Sequence, residues 1–235
     1  MADVASAIPA NPLHRLPGVA IVLVLLVVVF AVAAPGFRSS ANVANVLVQS
    51  TLLLLLSLPM TLVIMTEGLD LSMGAVLTLT SIIVAIVSLA TGSMPLALLA
   101  GVAVGIVFGL ANGYLVAGLN IPPFVATLGT LGMAQGLALV VSDGQSVVGV
   151  PRSVSDVYLA APFGLPLPII IGVITFLVFH GLLYHTRFGT YIFALGGNRE
   201  ALSYAGLSPT KLLIAVYAIS GAMARSEERR VGKEC

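Results

Sequence analysis

Apolar residues run in long blocks along this chain, at approximately 17 to 34, 43 to 65, 73 to 91, 94 to 118, 122 to 142 and 166 to 185, and a seventh block opens near Leu212. The breaks between blocks collect glycine, proline, asparagine and charge, the residues that punctuate helices. Crossing a hydrocarbon core of about 30 Å takes about 20 helical residues at about 1.5 Å each. Buried parallel strands are also apolar throughout, but they end after roughly 4 to 8 residues. Only helices satisfy every backbone group within one segment of a bilayer. The pattern therefore predicts an all-α, polytopic transmembrane bundle of six full spans and a truncated seventh.

Composition narrows the reading. Of 235 residues, 59% are hydrophobic and 8% charged, against about 45 to 50% and about 25% in soluble domains, so a water-soluble fold is excluded and membrane lipid is the expected surroundings. Ten basic and nine acidic residues leave a net charge of +1, which offers nucleic acid no bulk attraction and removes it as a partner. The single cysteine, Cys235, permits no internal disulfide and no cysteine metal site. His14, His180 and His185 are not spaced as metal ligands, so no metal site is expected.

The last residues break the pattern. Residues 225–235, RSEERRVGKEC, hold four of the ten basic and three of the nine acidic residues. They read either as a soluble cytoplasmic tail or, preferably, as a non-native stretch resembling a translated sequencing adapter. On that reading residues 1–224 are an incomplete transmembrane domain that naturally continues beyond Ala224. The first block also fits a signal-peptide core with cleavage near Ala31-Val32-Ala33, but Asp3, the sparse cationic flank of His14 and Arg15, and the later spans favour a retained helix. A cytoplasmic N-terminus puts Arg15, Arg187, Arg199 and Lys211 inside and Arg38 and Arg152 outside, in the sense of the positive-inside rule.

Three segments carry candidate chemistry. Thr66-Glu67-Gly68-Leu69-Asp70-Leu71-Ser72-Met73-Gly74 places two acids between the second and third spans. Asp70 or Ser72 can cap the third helix; alternatively Thr66, Glu67, Gly68, Asp70, Ser72 and Gly74 form a gate or substrate-facing turn, with Gly68 and Gly74 permitting close backbone approach. In the fourth span Gly101, Gly105, Gly109 and Gly113 recur every fourth residue, a groove for a second helix in the same chain or in another protomer. Pro122 and Pro123 suit a helix start. Thr127, Thr130 and Gln135 then share an arc of about 140° on the fifth span, open either to helix-to-helix hydrogen bonds or to a solute. Gln49, Asn112, Thr127, Thr130 and Gln135 are the pore candidates.

The third segment, Arg187 to Pro209, contains a short helix with both ends marked. Asn198 suits the N-cap, Glu200 the first turn, Gly206 the left-handed position after the end, and Pro209 blocks continuation. About seven residues form a rod of about 10 Å, too short to hold alone in water. It must pack on its own bundle or on a soluble partner.

At these segments the chain resembles the permease subunits of bacterial ABC importers of the ribose, xylose and galactose type. TEGLDLSMG is similar to the family's Thr-Gly-Gly-Ile-Asp-Leu-Ser-Val-Gly signature, with Glu67 in place of a small residue. NGYLVAGLNIPPFVATLGTLG and RFGTYIFALGGNREALSYAGL resemble its Asn-Gly, Ile-Pro, Thr-Leu-Gly-Thr block and its cytoplasmic coupling segment. The resemblance covers roughly residues 17 to 224. It implies a transport subunit, not an enzyme, in the bacterial inner membrane, paired with a second permease, two cytoplasmic ATPase subunits that hold ATP and magnesium, and an extracytoplasmic solute-binding protein. It makes Asn198 to Gly206 the coupling helix, including Ala201, with Arg199, Glu200 and Tyr204 as candidate ATPase contacts. The loop from Ser142 to Leu165, with Asp143, Arg152 and Asp156, becomes the candidate contact for the binding protein. No glycine loop ending in Gly-Lys-Ser or Gly-Lys-Thr is present, so nucleotide is not expected on this chain.

Two rivals remain. A secondary, ion-coupled transporter calls for an ionisable group at mid-span, and the acids here lie at a helix boundary. An intramembrane enzyme lacks a Gly-x-Ser-x-Gly elbow or spaced metal ligands, and His180 reads as an interfacial residue.

Overall fold

The computed structural model describes residues 18–149, 162 and 165–224. These form nine α-helices: α1 (Gly18–Ala33), α2 (Ser40–Met65), α3 (Met73–Thr91), α4 (Met94–Ala117), α5 (Pro123–Val141), α6 (Leu167–His185), α7 (Arg187–Gly197), α8 (Arg199–Tyr204) and α9 (Pro209–Met223). No strand occurs among the described residues. Helices α2 to α6 are long and apolar enough to cross a membrane, whereas α1 and α9 are shorter apolar helices. The first apolar block forms α1, whose 16 described residues span about 24 Å; the helix ends at Ala33 and a turn at 35 to 38 follows. The tail at 225–235, and Arg15, Arg152 and Asp156, lie outside the described residues.

Two compact units divide the chain at Leu47 and Val48. In the first, Phe30 and Phe37 stack with ring centroids 5.8 Å apart, and Asn42 Nδ2 donates to the Phe37 carbonyl at 2.8 Å, closing the turn that leads into α2.

In the second unit, neighbours in space are only partly neighbours along the chain. The largest packing partner of α4 is α9, and α3 packs on both α4 and α5. Leu62, Val63, Val116, Ala126, Phe179, Ile192, Val216 and Tyr217 form one buried cluster. Met73, Val76 and Leu79 of α3 form another with Ala134 and Ala138 of α5. A third cluster, Leu195, Leu202 and Leu213, seats α7 and α8 on α9.

The glycine groove of α4 is filled from within the chain. A Cβ on Gly105 would fall on the Gly221 carbonyl oxygen, one on Gly109 on the Tyr217 carbonyl oxygen, and one on Gly113 would lie 2.7 Å from Ile214 Cα. Gly101 is buried as well. Lipid tails are as apolar as the helices, so burial alone does not drive this pairing; close backbone contact does, and only glycine leaves room for it.

Candidate functional site

The site is built where α2 ends. The Gly68 N–H donates to the Val63 carbonyl at 3.0 Å and the Glu67 N–H to the Ile64 carbonyl at 3.0 Å, while Glu67 has φ +60°. This is a Schellman closure, whose left-handed residue is usually glycine. Glu67 occupies it at a cost of roughly 1 to 2 kcal/mol for carrying a Cβ, which gives a physical reason for a small residue in the resembling signature. Thr66 is fully buried and its Oγ1 donates to the Val63 carbonyl at 2.8 Å. Gly68 does permit close approach, since a Cβ there would sit 2.9 Å from the Tyr217 hydroxyl. Gly74 does not: it is exposed, with open space beside it, because it lies on the outer side of the first turn of α3.

From this turn a polar chain runs through the bundle. Asp70 Oδ1 accepts from the Ser72 N–H at 3.0 Å and from the Ser72 hydroxyl at 2.6 Å, and Oδ2 accepts from the Ser220 hydroxyl at 3.2 Å. Asn112 Nδ2 donates to Ser72 Oγ at 2.8 Å, and Thr130 Oγ1 donates to Asn112 Oδ1 at 2.7 Å. All five residues are buried. Ser72, Ser220, Asn112 and Thr130 each donate along the chain toward the carboxylate, Thr130 Oγ1 also reaching the Thr127 carbonyl at 3.2 Å, so Asp70 ends two directed paths, one from α9 and one from α5 through α4. Its partners among the described residues are hydroxyls and a backbone N–H. Such charge-assisted bonds are stronger than neutral ones, and in an apolar bundle the cost of leaving any member unpaired is high. Ser72 stands at the N-cap of α3 but its own side chain makes no cap bond; Asp70 instead accepts the N–H two residues on, the side-chain turn that aspartate favours.

Thr127 belongs to the same end of the bundle, its Oγ1 donating to the Pro123 carbonyl at 2.8 Å and to the Leu69 carbonyl at 3.3 Å. Asn112, Thr127 and Thr130 are thus drawn inward to one network. Gln49 and Gln135 are not, and both are exposed. The polar arc of α5 divides because Thr127 and Thr130 face the α2–α3 turn and α4, while Gln135 lies beside the open positions Gly129, Gly132 and Gly136.

The short helix forms as its end signals predict. Asn198 Oδ1 accepts from the Ala201 N–H at 2.9 Å. At the other end Gly206 has φ +80°, its N–H donates to the Ser203 carbonyl at 3.0 Å, and the Leu207 N–H donates to the Leu202 carbonyl at 3.2 Å, a second Schellman closure. Leu202 packs with Leu195 and Leu213, so the helix rests on its own chain. Glu200 is exposed and Tyr204 is 89% exposed. Arg199 takes another course: its Nη2 donates to the Thr66 carbonyl at 2.9 Å.

A cleft of about 320 Å³ opens between Glu67, Val116, Asn120 to Pro123 and Arg199. On α6, His180 stands 4.8 Å from the Tyr184 ring and 6.3 Å from Phe176 by centroids, an exposed aromatic ladder of the kind found at membrane interfaces. No cluster that could hold a metal ion occurs among the described residues.

Sequence reasoning missed two parts of this site. The first is α7, an 11-residue helix between α6 and α8, signalled by Thr186, whose side chain accepts from the Gly189 N–H at 3.3 Å. The second is the α9 contribution, Tyr217 and Ser220. Ser220 beside Gly221 in an apolar run was the available signal, but its acid partner is 150 residues away.

Residues 42–225 match the family described as the permease component of the branched-chain amino acid transport system. The ribose import permease of Escherichia coli strain K12 is 34% identical over 209 residues, covering 87% of this chain and 65% of that protein. The D-allose transport system permease of the same strain is 34% identical over 210 residues, 88% of this chain and 64% of the relative. Its galactofuranose transporter permease is 35% identical over 209 residues, 86% and 61% respectively. The chain spans just under two thirds of the length of these relatives. No solved structure matches it.

Proposed function

Because the chain belongs to the family of transport-system permease components that its residues 42–225 match, we propose that it forms the membrane-spanning part of an ATP-driven importer for a monosaccharide or similar small polar solute. The observation that carries this reading is the likeness to sugar permeases across almost the whole chain. The family's description concerns branched-chain amino acids, but a hydroxyl-bearing solute suits an interior whose polar groups include Thr, Ser, Asn, the Tyr217 hydroxyl and one carboxylate that already accepts three hydrogen bonds.

In this reading the protein lies in the bacterial inner membrane with its N-terminus cytoplasmic. Helix α8 is the coupling helix: Leu202 anchors it to the bundle, and Glu200 and Tyr204 face the ATPase. ATP and magnesium are held by that ATPase. A second permease copy covers the open face of α5, where Gln135 and three glycines stand unpacked; a glutamine amide on an apolar span is better placed against protein or a water-filled path than against lipid. An extracytoplasmic binding protein delivers the solute, with Asp143 at the end of α5 as a candidate contact. Gln49, Asn112, Thr127, Thr130 and Gln135 are the polar groups nearest such a path. The turn from Thr66 to Ser72 is its inner gate.

The test is uptake in proteoliposomes holding the full-length gene product, its ATPase and its binding protein. Labelled ribose or allose should accumulate only with ATP inside the ATPase compartment. Accumulation driven by an ion gradient without ATPase subunits would overturn the proposal in favour of a secondary transporter. Glu200→Ala together with Tyr204→Ala should leave the permease in the membrane while uncoupling hydrolysis from uptake.

A further inference from the structure

Arg199 is the residue at the start of α8 that departs from the behaviour of its neighbours. Glu200, Tyr204 and Arg199 are all exposed, but among the described residues only Arg199 of the three has a side-chain hydrogen bond, its guanidinium reaching back across 133 residues of sequence to the Thr66 carbonyl at 2.9 Å. Thr66 follows the last residue of α2, so its carbonyl lies among the groups a helix leaves without partners at its C-terminus. That end carries partial negative charge, which a cation complements.

A second contact holds the same place. A Cβ on Gly196 would fall on the Met65 carbonyl oxygen, so the last turn of α7 lies directly against the last residue of α2. The segment 196–199 is thus fastened to the end of α2 twice, by a close backbone approach and by a charged hydrogen bond. The turn it grips is itself internally bonded. Thr66 is fully buried and bonded back to Val63, Gly68 sits against the Tyr217 hydroxyl, and Asp70 binds Ser72 and Ser220. On the other side of Arg199 lies the cleft of about 320 Å³ that it shares with Glu67, Asn120, Pro122 and Pro123, which leaves room for this corner to move against the α4–α5 turn.

We propose that Arg199 is a positioning residue that fastens the short helix α8 to the α2–α3 turn, so that displacement of the helix by its partner moves the Asp70 network, and that it is not itself a contact for that partner. The assignment rests on the reading of α8 as the coupling helix. It separates the helix into Glu200 and Tyr204, which receive force, and Arg199, exposed as a residue but anchored through its guanidinium, which passes it on. A lysine can reach a single carbonyl with one of its three donors but lacks the planar fork, whereas glutamine and methionine supply no charge.

The experiment uses the full-length permease assembled with its ATPase and binding protein in proteoliposomes. Two quantities are read: the amount of ATPase that co-purifies, and solute imported per ATP hydrolysed. Arg199→Gln should retain the ATPase and lower import per ATP by roughly tenfold, as expected for loss of one charged hydrogen bond, with Arg199→Lys recovering part of it. Arg199→Met, which keeps the aliphatic stem, replaces Arg199→Gln if that variant does not reach the membrane, with the same expectation. Loss of the ATPase from either variant would make Arg199 a direct contact and overturn the assignment, as would unchanged import per ATP. A wild-type assembly whose hydrolysis does not respond to loaded binding protein would instead fail at the parent reading, before any variant is compared.

Discussion

Two helices of this bundle carry glycine stripes, and they meet different fates. On α4, Gly105, Gly109 and Gly113 are pressed against the backbone of α9, with Gly221 returning the contact from the other side. On α5, Gly129, Gly132 and Gly136 have open space where a Cβ would go. Both stripes come from small residues at helical spacing, so the difference does not lie in the stripe. It lies in what the helix face meets. The α4 stripe meets a small residue on its partner, Gly221 of α9, so the two backbones interlock, while Asn112 ties α4 to Ser72 and to Thr130 of α5. The α5 face bears Gln135, which has found nothing within the described residues.

The largest expected effect breaks the filled seam. Gly109→Leu drives a side chain into the Tyr217 carbonyl and should destabilise the bundle by about 3 kcal/mol or more, beyond ordinary overpacking because backbone cannot yield as a side chain does. Thermal unfolding followed by far-ultraviolet circular dichroism suits a protein with no tryptophan, and an unchanged midpoint would mean that α9 does not occupy the groove. Next in size is Asn112→Ala, which removes one partner each from the buried Ser72 and Thr130 hydroxyls, at roughly 1 to 3 kcal/mol. Its effect should be strongly non-additive with Asp70→Asn, since both act in one network; additive losses would dissolve the network into separate contacts.

Smaller effects sharpen the other half of the comparison. Glu67→Gly relieves a left-handed Cβ and should raise stability by roughly 1 kcal/mol, although it removes a carboxylate from the cleft beside Arg199. A lowered midpoint would show that Glu67 makes a compensating contact. Gly132→Leu should change the stability of the single chain by less than about 0.5 kcal/mol, as for other unpacked surface positions, yet weaken association with the second permease copy proposed above, measured by cross-linking in membranes. Equal association of variant and parent would leave the α5 face to lipid.

Much of this was legible in the residues. Asn198 and Gly206 delimit α8 because cap preferences are local: each depends on a hydrogen bond no more than about five residues away. Pro123 and Pro209 open α5 and α9 for an equally local reason, since a first-turn residue needs no N–H partner within the helix. The left-handed turn at Glu67 was not legible, since a glutamate there opposes the usual preference and only the double closure onto Val63 and Ile64 reveals it. Nor was the destination of Arg199, because a charged residue at a helix start reads as solvent-facing until the carbonyl it reaches is placed beside it.

The sequence by itself determined the helical, membrane-spanning character of the chain, the bounds of its long helices and the position of its short one, because these follow from apolar length and from bonds between near neighbours. It also marked which residues were too polar for their surroundings. Only the tertiary structure decided their partners. Asp70 needs Ser220 from α9, Asn112 joins Ser72 to Thr130, and Gly105 needs Gly221, and each pairing depends on which backbones approach within a few ångströms after the helices pack. That approach is set by the shape of whole helix faces, which no short stretch of sequence contains.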